Sequence, residues 1–485
     1  MIAGEAFPFA KAGGLGDVIG SLSAELDRLG LAVSLVIPRH RVIDLNKFDF
    51  KLHPASGVIR VGSSDFPWDV HWTLLPGSSV KVFLIGNDHF FDRPGIYFDA
   101  ETGKDYPDQS GRWIFFQRAT MEFISSAFPS ADILHCHDHQ AALIPAYLSR
   151  LYRREGVFQN TASVFTIHNM GYQGLFGSEV MLQTGFDPGE FYATGPFEFF
   201  GMVNFMKAGI ATASAVTTVS ETYAREIQSS AEFGYGLEDV LRIRRHDLVG
   251  ILNGIDTDRW NPAADPLIAA PFSMQDLAGK QENKKALLKE FGLDARRLAR
   301  PVLAMISRID VQKGFDLLVT ILDRLLEQDL YFVLLGTGHK ETEAHLRHIV
   351  DRHPEKASAL FAFDDRLAHL TEAGADMFLM PSKYEPCGLN QMYSLRYGTV
   401  PIVRSTGGLR DTVQEFNPST GEGTGFCFSA YDANQFSDAI QRALALWKRR
   451  EDWRRLMVNG MTCDFSWRVS AGKYVQVYEK FMGHP

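Results

Sequence analysis

The chain has 485 residues, of which 45% are hydrophobic and 22% charged, with a formal net charge of −9. Those proportions belong to a globular protein of two large domains or three ordinary ones, and they exclude a disordered, collagenous or coiled-coil chain. Mild acidity without a basic block argues against nucleic acid or an anionic membrane as partner; a neutral substrate, or an anion held by a few local cations, stays open.

The opening MIAGEAFPFAKAGG has no basic stretch and no long apolar run, so no signal peptide is expected. Met1–Gly4 is short for a strand of five or six residues, so either the first strand is stunted or the natural start lies upstream. The segment Lys11-Ala12-Gly13-Gly14-Leu15-Gly16-Asp17 then opens a helix from about Asp17, with Val18, Ile19, Leu22, Leu26 and Leu29 at three- and four-residue steps. Glycines let backbone amides approach a phosphate, the helix end favours an anion, and Lys11 adds charge. The segment is neither a Walker A loop nor GxGxxG, and a Gly-rich turn with a solvated lysine is the alternative.

Apolar, often β-branched runs follow at 31–37, 80–85, 133–135, 162–167, 216–219, 302–306, 331–335, 377–380 and 399–403. Strands buried on both faces read this way. Helical patterns lie between them, as at Leu318, Val319, Leu322, Leu325 and Leu326. The alternation predicts parallel α/β sheets with right-handed crossovers. A Pro-, Asn-, Asp- and Ala-rich stretch over 251–281 reads as a connection, giving two domains rather than three. The default ligand site is then a cleft between them, at the carboxyl ends of the strands. No stretch approaches the ~18 apolar residues of a membrane span. Four scattered cysteines, Cys136, Cys387, Cys427 and Cys463, fit a reducing compartment, so a soluble cytoplasmic protein is expected.

The polar motifs sit at predicted strand ends. His135-Cys136-His137-Asp138-His139 suggests a metal, but alternate strand residues point to opposite faces and no second cluster supplies a further ligand. Asp138 is better read as a carboxylate for a hydroxyl group, or as a helix cap. Thr166-Ile167-His168-Asn169, before Gly171-Tyr172-Gln173-Gly174, can present donors and a carbonyl to a polar ligand, or His168 can be structural. Arg308 and Lys313, five residues apart in Ser307-Arg308-Ile309-Asp310-Val311-Gln312-Lys313-Gly314, can clamp a diphosphate or be surface charge. In Pro381-Ser382-Lys383-Tyr384-Glu385-Pro386-Cys387-Gly388-Leu389, Glu385 can take sugar hydroxyls. Gly336-Thr337-Gly338 and Ser405–Asp411 are further Gly-rich loops. Together the motifs predict a diphosphate-linked ligand closed between two domains.

These segments, with 253–256, Trp260-Asn261-Pro262 and 406–413, run in order along nearly the whole chain and resemble the starch and glycogen synthase family of glycosyltransferases. The resemblance implies the GT-B architecture: two facing Rossmann-like domains with an interdomain active-site cleft. It implies an acceptor-side domain over 1–250, completed by a C-terminal helix over 465–485, and a donor-side domain over 251–464. The implied reaction is retaining transfer of glucose from ADP-glucose to the non-reducing 4-hydroxyl of an α-1,4-glucan. Neither metal nor bound cofactor is implied, ADP-glucose being a substrate; no nucleic-acid or membrane partner is expected and the oligomeric state stays open. Lys11, with the Gly13-Gly14 backbone, would contact donor phosphate, and Arg308 and Lys313 would neutralise the leaving diphosphate. Glu385, Cys387, Gly388 and Leu389 would line the glucose and phosphate pocket, with Gly336 also on the donor. His168 would meet the glucose near its 6-hydroxyl, Asn169 beside it. Asp138 would hold the glucose or acceptor side, and Asn253 the transferred sugar's side.

One departure from the family stands out: the usual Thr after the loop lysine is Ala12. The residue eight positions beyond Glu385 is Tyr393, so the second glutamate of related retaining transferases is missing here, as it is in this family. A retaining glycosidase needs two carboxylates about 5–5.5 Å apart, and no such pair is evident near Glu385. A front-face transfer, with the leaving phosphate taking the acceptor proton, is therefore expected. The alternatives are a UDP-glucose-dependent synthase and a non-catalytic glucan-binding relative, against which Lys11, Arg308, Lys313 and Glu385 all stand. A glucan phosphorylase would need a pyridoxal-phosphate lysine motif, which is not evident. The run Pro196-Phe197-Glu198-Phe199-Phe200 reads as core packing rather than acceptor groove.

Overall fold

The computed structural model describes residues 1–99 and 102–482. They form two compact units: Met1–Gly254 with Trp467–Pro485, and Ile255–Ser466. The C-terminal helix runs Trp467–Phe481, and 483–485 of its expected span lie outside the described residues.

Unit 1 contains β1 (Ser34–Pro38), β2 (Lys51–Val61), β3 (Ser64–Leu74), β4 (Lys81–Gly86), β5 (Ile133–His137), β6 (Ala162–Ile167), β7 (Leu175–Phe176), β8 (Glu198–Phe199), β9 (Met202–Asn204), β10 (Ala215–Thr218) and β11 (Leu248–Gly250). Two four-stranded sheets run β1-β4-β3-β2 and β11-β10-β6-β5. The strands β5, β6, β10 and β11 pair in parallel. Strand β6 is buried along its whole length, which explains its mostly apolar sequence, broken only by Ser163 and Thr166. The first strand is indeed stunted. Ile2 alone bridges Val36 of β1 and Cys136 of β5, both in parallel. Its amide donates to His135 O (2.8 Å), its carbonyl accepts from His137 N (3.0 Å), and Ala3 N donates to Val36 O (3.2 Å). One residue thus joins the sheets, and the chain leaves it first to β1 and later to β5 on the other side.

The all-parallel expectation fails in two places, one of them the small sheet β7-β9-β8, both of whose pairs are antiparallel. Strands β2 and β3 form an antiparallel hairpin, and β3 pairs antiparallel with β4. Most of β2 is exposed or half-buried, so it lacks the apolar run by which the parallel strands are recognised. The first helix spans Gly14–Arg28, starting three residues ahead of Asp17. Val18, Ile19, Leu22 and Leu26 are buried, whereas Leu29 lies past the helix end and is exposed. Part of that buried stripe packs on the C-terminal helix: Val18, Leu22 and Leu26 share a core with Trp467, Ala471, Tyr474, Val477 and Tyr478.

Unit 2 is a six-stranded sheet ordered β14-β13-β12-β15-β16-β17, all neighbours parallel. Its strands are β12 (Val302–Ile306), β13 (Tyr331–Leu335), β14 (Ala357–Leu360), β15 (Met377–Met380), β16 (Val400–Arg404) and β17 (Phe426–Phe428). Side chains of β12 alternate between two cores. Leu303 and Met305 join Leu318, Leu322 and Ile440; Val302 and Ala304 join Leu287, Leu288 and Leu370. Burial on both faces is what a doubly wound parallel sheet requires. The order reverses between β12 and β15, and such a reversal opens a crevice at the carboxyl ends of the strands. No helix among the described residues is long and apolar enough to cross a membrane.

Candidate active site

In unit 2, four loops leave the carboxyl ends of β12, β13, β15 and β16 and press on one another main chain to main chain. Gly314 has φ +76°, and a Cβ there would overlap the Pro381 carbonyl. A Cβ at Gly336 would overlap the Ser307 carbonyl. Lys383 N donates to Gln312 O at 2.8 Å, tying the loops on either side of the reversal. Asp310 caps the short turn that carries Lys313, its carboxylate accepting Lys313 N at 3.1 Å.

This packing brings two predicted site residues into contact. Lys313 Nζ lies 2.6 Å from Glu385 Oε2, and Ser382 Oγ donates to the same oxygen at 3.1 Å. Glu385 is buried, and its carbonyl accepts Gly408 N at 3.1 Å, so main chain and side chain are both held. Arg308 is mostly exposed and pairs with Asp310 at 3.5 Å. Cys387 is buried and Gly388 is left-handed, φ +72°. The carbonyls of both accept from Gln391 Nε2, at 3.1 and 3.0 Å. Leu389 opens the helix Asn390–Arg396, and Asn390 Nδ2 donates to Ile306 O at 2.8 Å. Tyr393 is drawn elsewhere: its ring stacks on Trp260 at 3.8 Å, whose own ring stacks on His369 at 3.7 Å.

In unit 1, Asp138 follows β5 in a left-handed conformation (φ +55°), rare for a non-glycine residue and a recurrent mark of functional sites. Its Oδ1 accepts His168 N from the tip of β6 at 2.8 Å. Burial pushes the Asp138 carboxyl up to about 7, against the pull of the His168 and Asn169 amides. Burial pushes His168 down to about 3, so its ring is neutral. The His168 ring meets His137 at 3.0 Å. Behind it, His135 lies between Tyr478 Oη (2.7 Å) and Thr166 Oγ1 (2.6 Å). The histidine run is thus a hydrogen-bonded layer within the fold. No group of three or more His, Cys, Asp or Glu among the described residues is placed to hold a metal ion. Asn169 Oδ1 accepts Gly171 N at 2.9 Å, shaping its own turn. Asn253 is buried, and its Oδ1 has no hydrogen-bond partner.

The Lys11–Asp17 loop differs from the expected open phosphate cradle. Lys11 Nζ pairs with Asp17 Oδ2 at 2.7 Å. Glu5, only 1% exposed, lies beneath the loop and accepts the amides of Ala12 and, at 3.3 Å, Gly13. The Gly13 amide is therefore already engaged, and the nearest backbone donor left for a phosphate is Gly14, at the helix start. Sequence reasoning passed over Glu5, since a single acidic residue ahead of a Gly-rich loop matches no motif. Its significance lies in a contact seven residues on. The aromatic run splits: Phe197 is fully buried against Phe186, whereas Phe200 is 85% exposed.

Residues 1–243 match the starch synthase catalytic domain family, and residues 294–456 match glycosyl transferases group 1. A glycogen synthase of Thermotoga maritima is 44% identical over 481 residues, covering 98% of this chain and 97% of the relative. One of Koribacter versatilis is 45% identical over 484 residues, covering 99% and 97%. The catalytic domain of starch synthase IV from Arabidopsis thaliana, solved with ADP and acarbose, superposes with a TM-score of 0.91 at 34% identity, covering 100% of this chain and 99% of that one. A sucrose-phosphate synthase of Thermosynechococcus elongatus, at 17% identity and a TM-score of 0.60, covering 98% and 95%, shares the fold.

Proposed function

The chain belongs to the starch and glycogen synthase family of glycosyltransferases, and from that premise we propose that it transfers glucose from ADP-glucose to the non-reducing 4-hydroxyl of an α-1,4-glucan, with retention. Its two Rossmann-like units are the family's GT-B architecture. The observation that carries the reading is the buried Glu385 holding Lys313 at 2.6 Å beside the strand-order reversal of unit 2. Cleaving a glycosyl–phosphate bond builds negative charge on the diphosphate and positive charge at the anomeric carbon. A preorganised lysine and an exposed arginine, Lys313 and Arg308, suit the first. Glu385 Oε2 already takes Lys313 and Ser382, so this carboxylate orients a cation rather than attacking the sugar. Tyr393, stacked on Trp260, offers no second carboxylate. The leaving phosphate then takes the acceptor proton, on the same face of the sugar.

In unit 1, Asp138 and the neutral His168 are assigned to sugar hydroxyls, and Lys11 with the Gly14 amide to donor phosphate. ADP as the nucleotide is supported by the ADP-bound starch synthase relative. Two cations make a divalent metal dispensable in this reading, and the reaction is assigned to a reducing, aqueous compartment. Glucose transfer onto glycogen from ADP-glucose and UDP-glucose, each with and without EDTA, tests it. ADP-glucose turnover that survives EDTA is expected. Preference for UDP-glucose would change the donor, loss with EDTA would restore a metal, and no transfer from either donor by folded protein would overturn the activity.

A further inference from the structure

The loop assigned to the donor phosphates is held by an anion of the protein itself. Glu5 stands three residues beyond the single-residue strand at Ile2, and its carboxylate takes the Ala12 and Gly13 amides. Phe7 N, between them, donates to Gly16 O at 2.9 Å, so the whole turn folds back over Glu5. Beyond it the helix Gly14–Arg28 begins, and the first amides of an α-helix have no acceptor within it. A run with three glycines has no shape of its own, because glycine gives the backbone wide freedom. Two amides bound to one buried acceptor remove that freedom.

We propose that Glu5 is a positioning residue for the donor diphosphate: by taking the Ala12 and Gly13 amides it sets the loop so that the Gly14 amide, the helix end and Lys11 are presented to phosphate. The proposal rests on the nucleotide-sugar reading above. Glu5 does two separable things here. As an acceptor it orders the loop; as a charge it opposes an incoming diphosphate. The groups facing it are the Ala12, Gly13 and Gly16 amides, Tyr97 and Asp138, with the Lys11–Asp17 pair on the loop above. Burial pushes its carboxyl up to about 7, so near neutrality the charge is partly withdrawn while an acceptor oxygen remains.

Glu5→Gln keeps an acceptor without the charge; Glu5→Ala removes both. In the full-length protein, Glu5→Ala is expected to raise the ADP-glucose KM at least tenfold with the glycogen KM within about twofold. Glu5→Gln should return the ADP-glucose KM to within about threefold of the parent. Hydrogen exchange at Ala12 and Gly13, read without any ligand, should quicken at least tenfold in Glu5→Ala and recover in Glu5→Gln. An unchanged ADP-glucose KM in Glu5→Ala, a Glu5→Gln variant no better than Glu5→Ala, or a rise confined to the glycogen KM would overturn the proposal. Should the parent protein bind no ADP while the exchange pattern holds, the ligand named here is wrong and Glu5's hold on the loop stands.

Discussion

Asp138 combines a left-handed backbone with a buried carboxyl, and its protonation leaves a signature in stability. Its carboxyl is moved from 3.8 to about 7 by burial. Below pH 3.8 both folded and unfolded chains hold the proton. Between there and about 7 the unfolded chain has lost it and the folded chain keeps it, so this group makes folding less favourable as pH rises through that window. Asp138→Asn keeps an oxygen for the His168 amide and carries no charge. Its urea midpoint is expected to gain on the parent between pH 4 and 8, and a constant gap would contradict the buried-charge account. In unit 2, Lys313→Ala should lower kcat by about 10²–10³. Lys313→Arg should recover only part of this, because the fork of arginine does not match a point contact at 2.6 Å with Glu385. Of these residues, Asp138, Lys313 and Glu385 stood out in the sequence because each lies in the segment that follows an apolar strand run. That Lys313 and Glu385 touch was not legible, since 72 residues separate them and the contact depends on where β12 and β15 lie in the sheet.

At the scale of elements, the loops of unit 2 are rigid because main chain packs on main chain. Gly336→Ala would drive a methyl group into the Ser307 carbonyl and displace the loop that carries Arg308 and Lys313. The expected outcome is a tenfold or larger rise in the ADP-glucose KM in a protein that still melts cooperatively; an unchanged KM would show that the loop yields. The aromatic run gives a contrast in stability. Phe197→Ala should cost about 3–5 kcal/mol by denaturant titration, whereas Phe200→Ala should stay within about 0.5 kcal/mol. The same contrast explains what the sequence disclosed. Strands β6, β12, β13 and β15 were readable because both faces are covered and the residues are apolar, but for Ser163 and Thr166 of β6. The hairpin of β2 and β3 was not, because its long strands leave many side chains in water, and Pro54, Gly57 and Pro67 interrupt the pattern. Strands β7, β8 and β9 are two or three residues long and leave no period to detect.

For the whole molecule, the C-terminal helix is the piece whose loss reaches furthest along the chain. It covers Val18, Leu22 and Leu26 of the first helix, and Tyr478 Oη closes the hydrogen bond to His135 at 2.7 Å. Tyr478→Phe leaves that imidazole nitrogen unpaired in a buried layer and should cost about 1–3 kcal/mol in urea unfolding. A chain ending at Ser466 should lose the cooperative melt of unit 1 while keeping that of unit 2; two intact transitions would refute this. The division of the chain also has a temporal side. Unit 2 is one uninterrupted stretch, Ile255–Ser466, while unit 1 is assembled from the first segment and the last. During synthesis on the ribosome, the first 254 residues emerge and then wait, with one apolar stripe uncovered, while all of unit 2 is made. At roughly 5–20 residues per second that delay is about 10–40 s. The half of the protein that is translated first is therefore the half completed last, and a premature stop close to the end of the message would damage the beginning of the polypeptide.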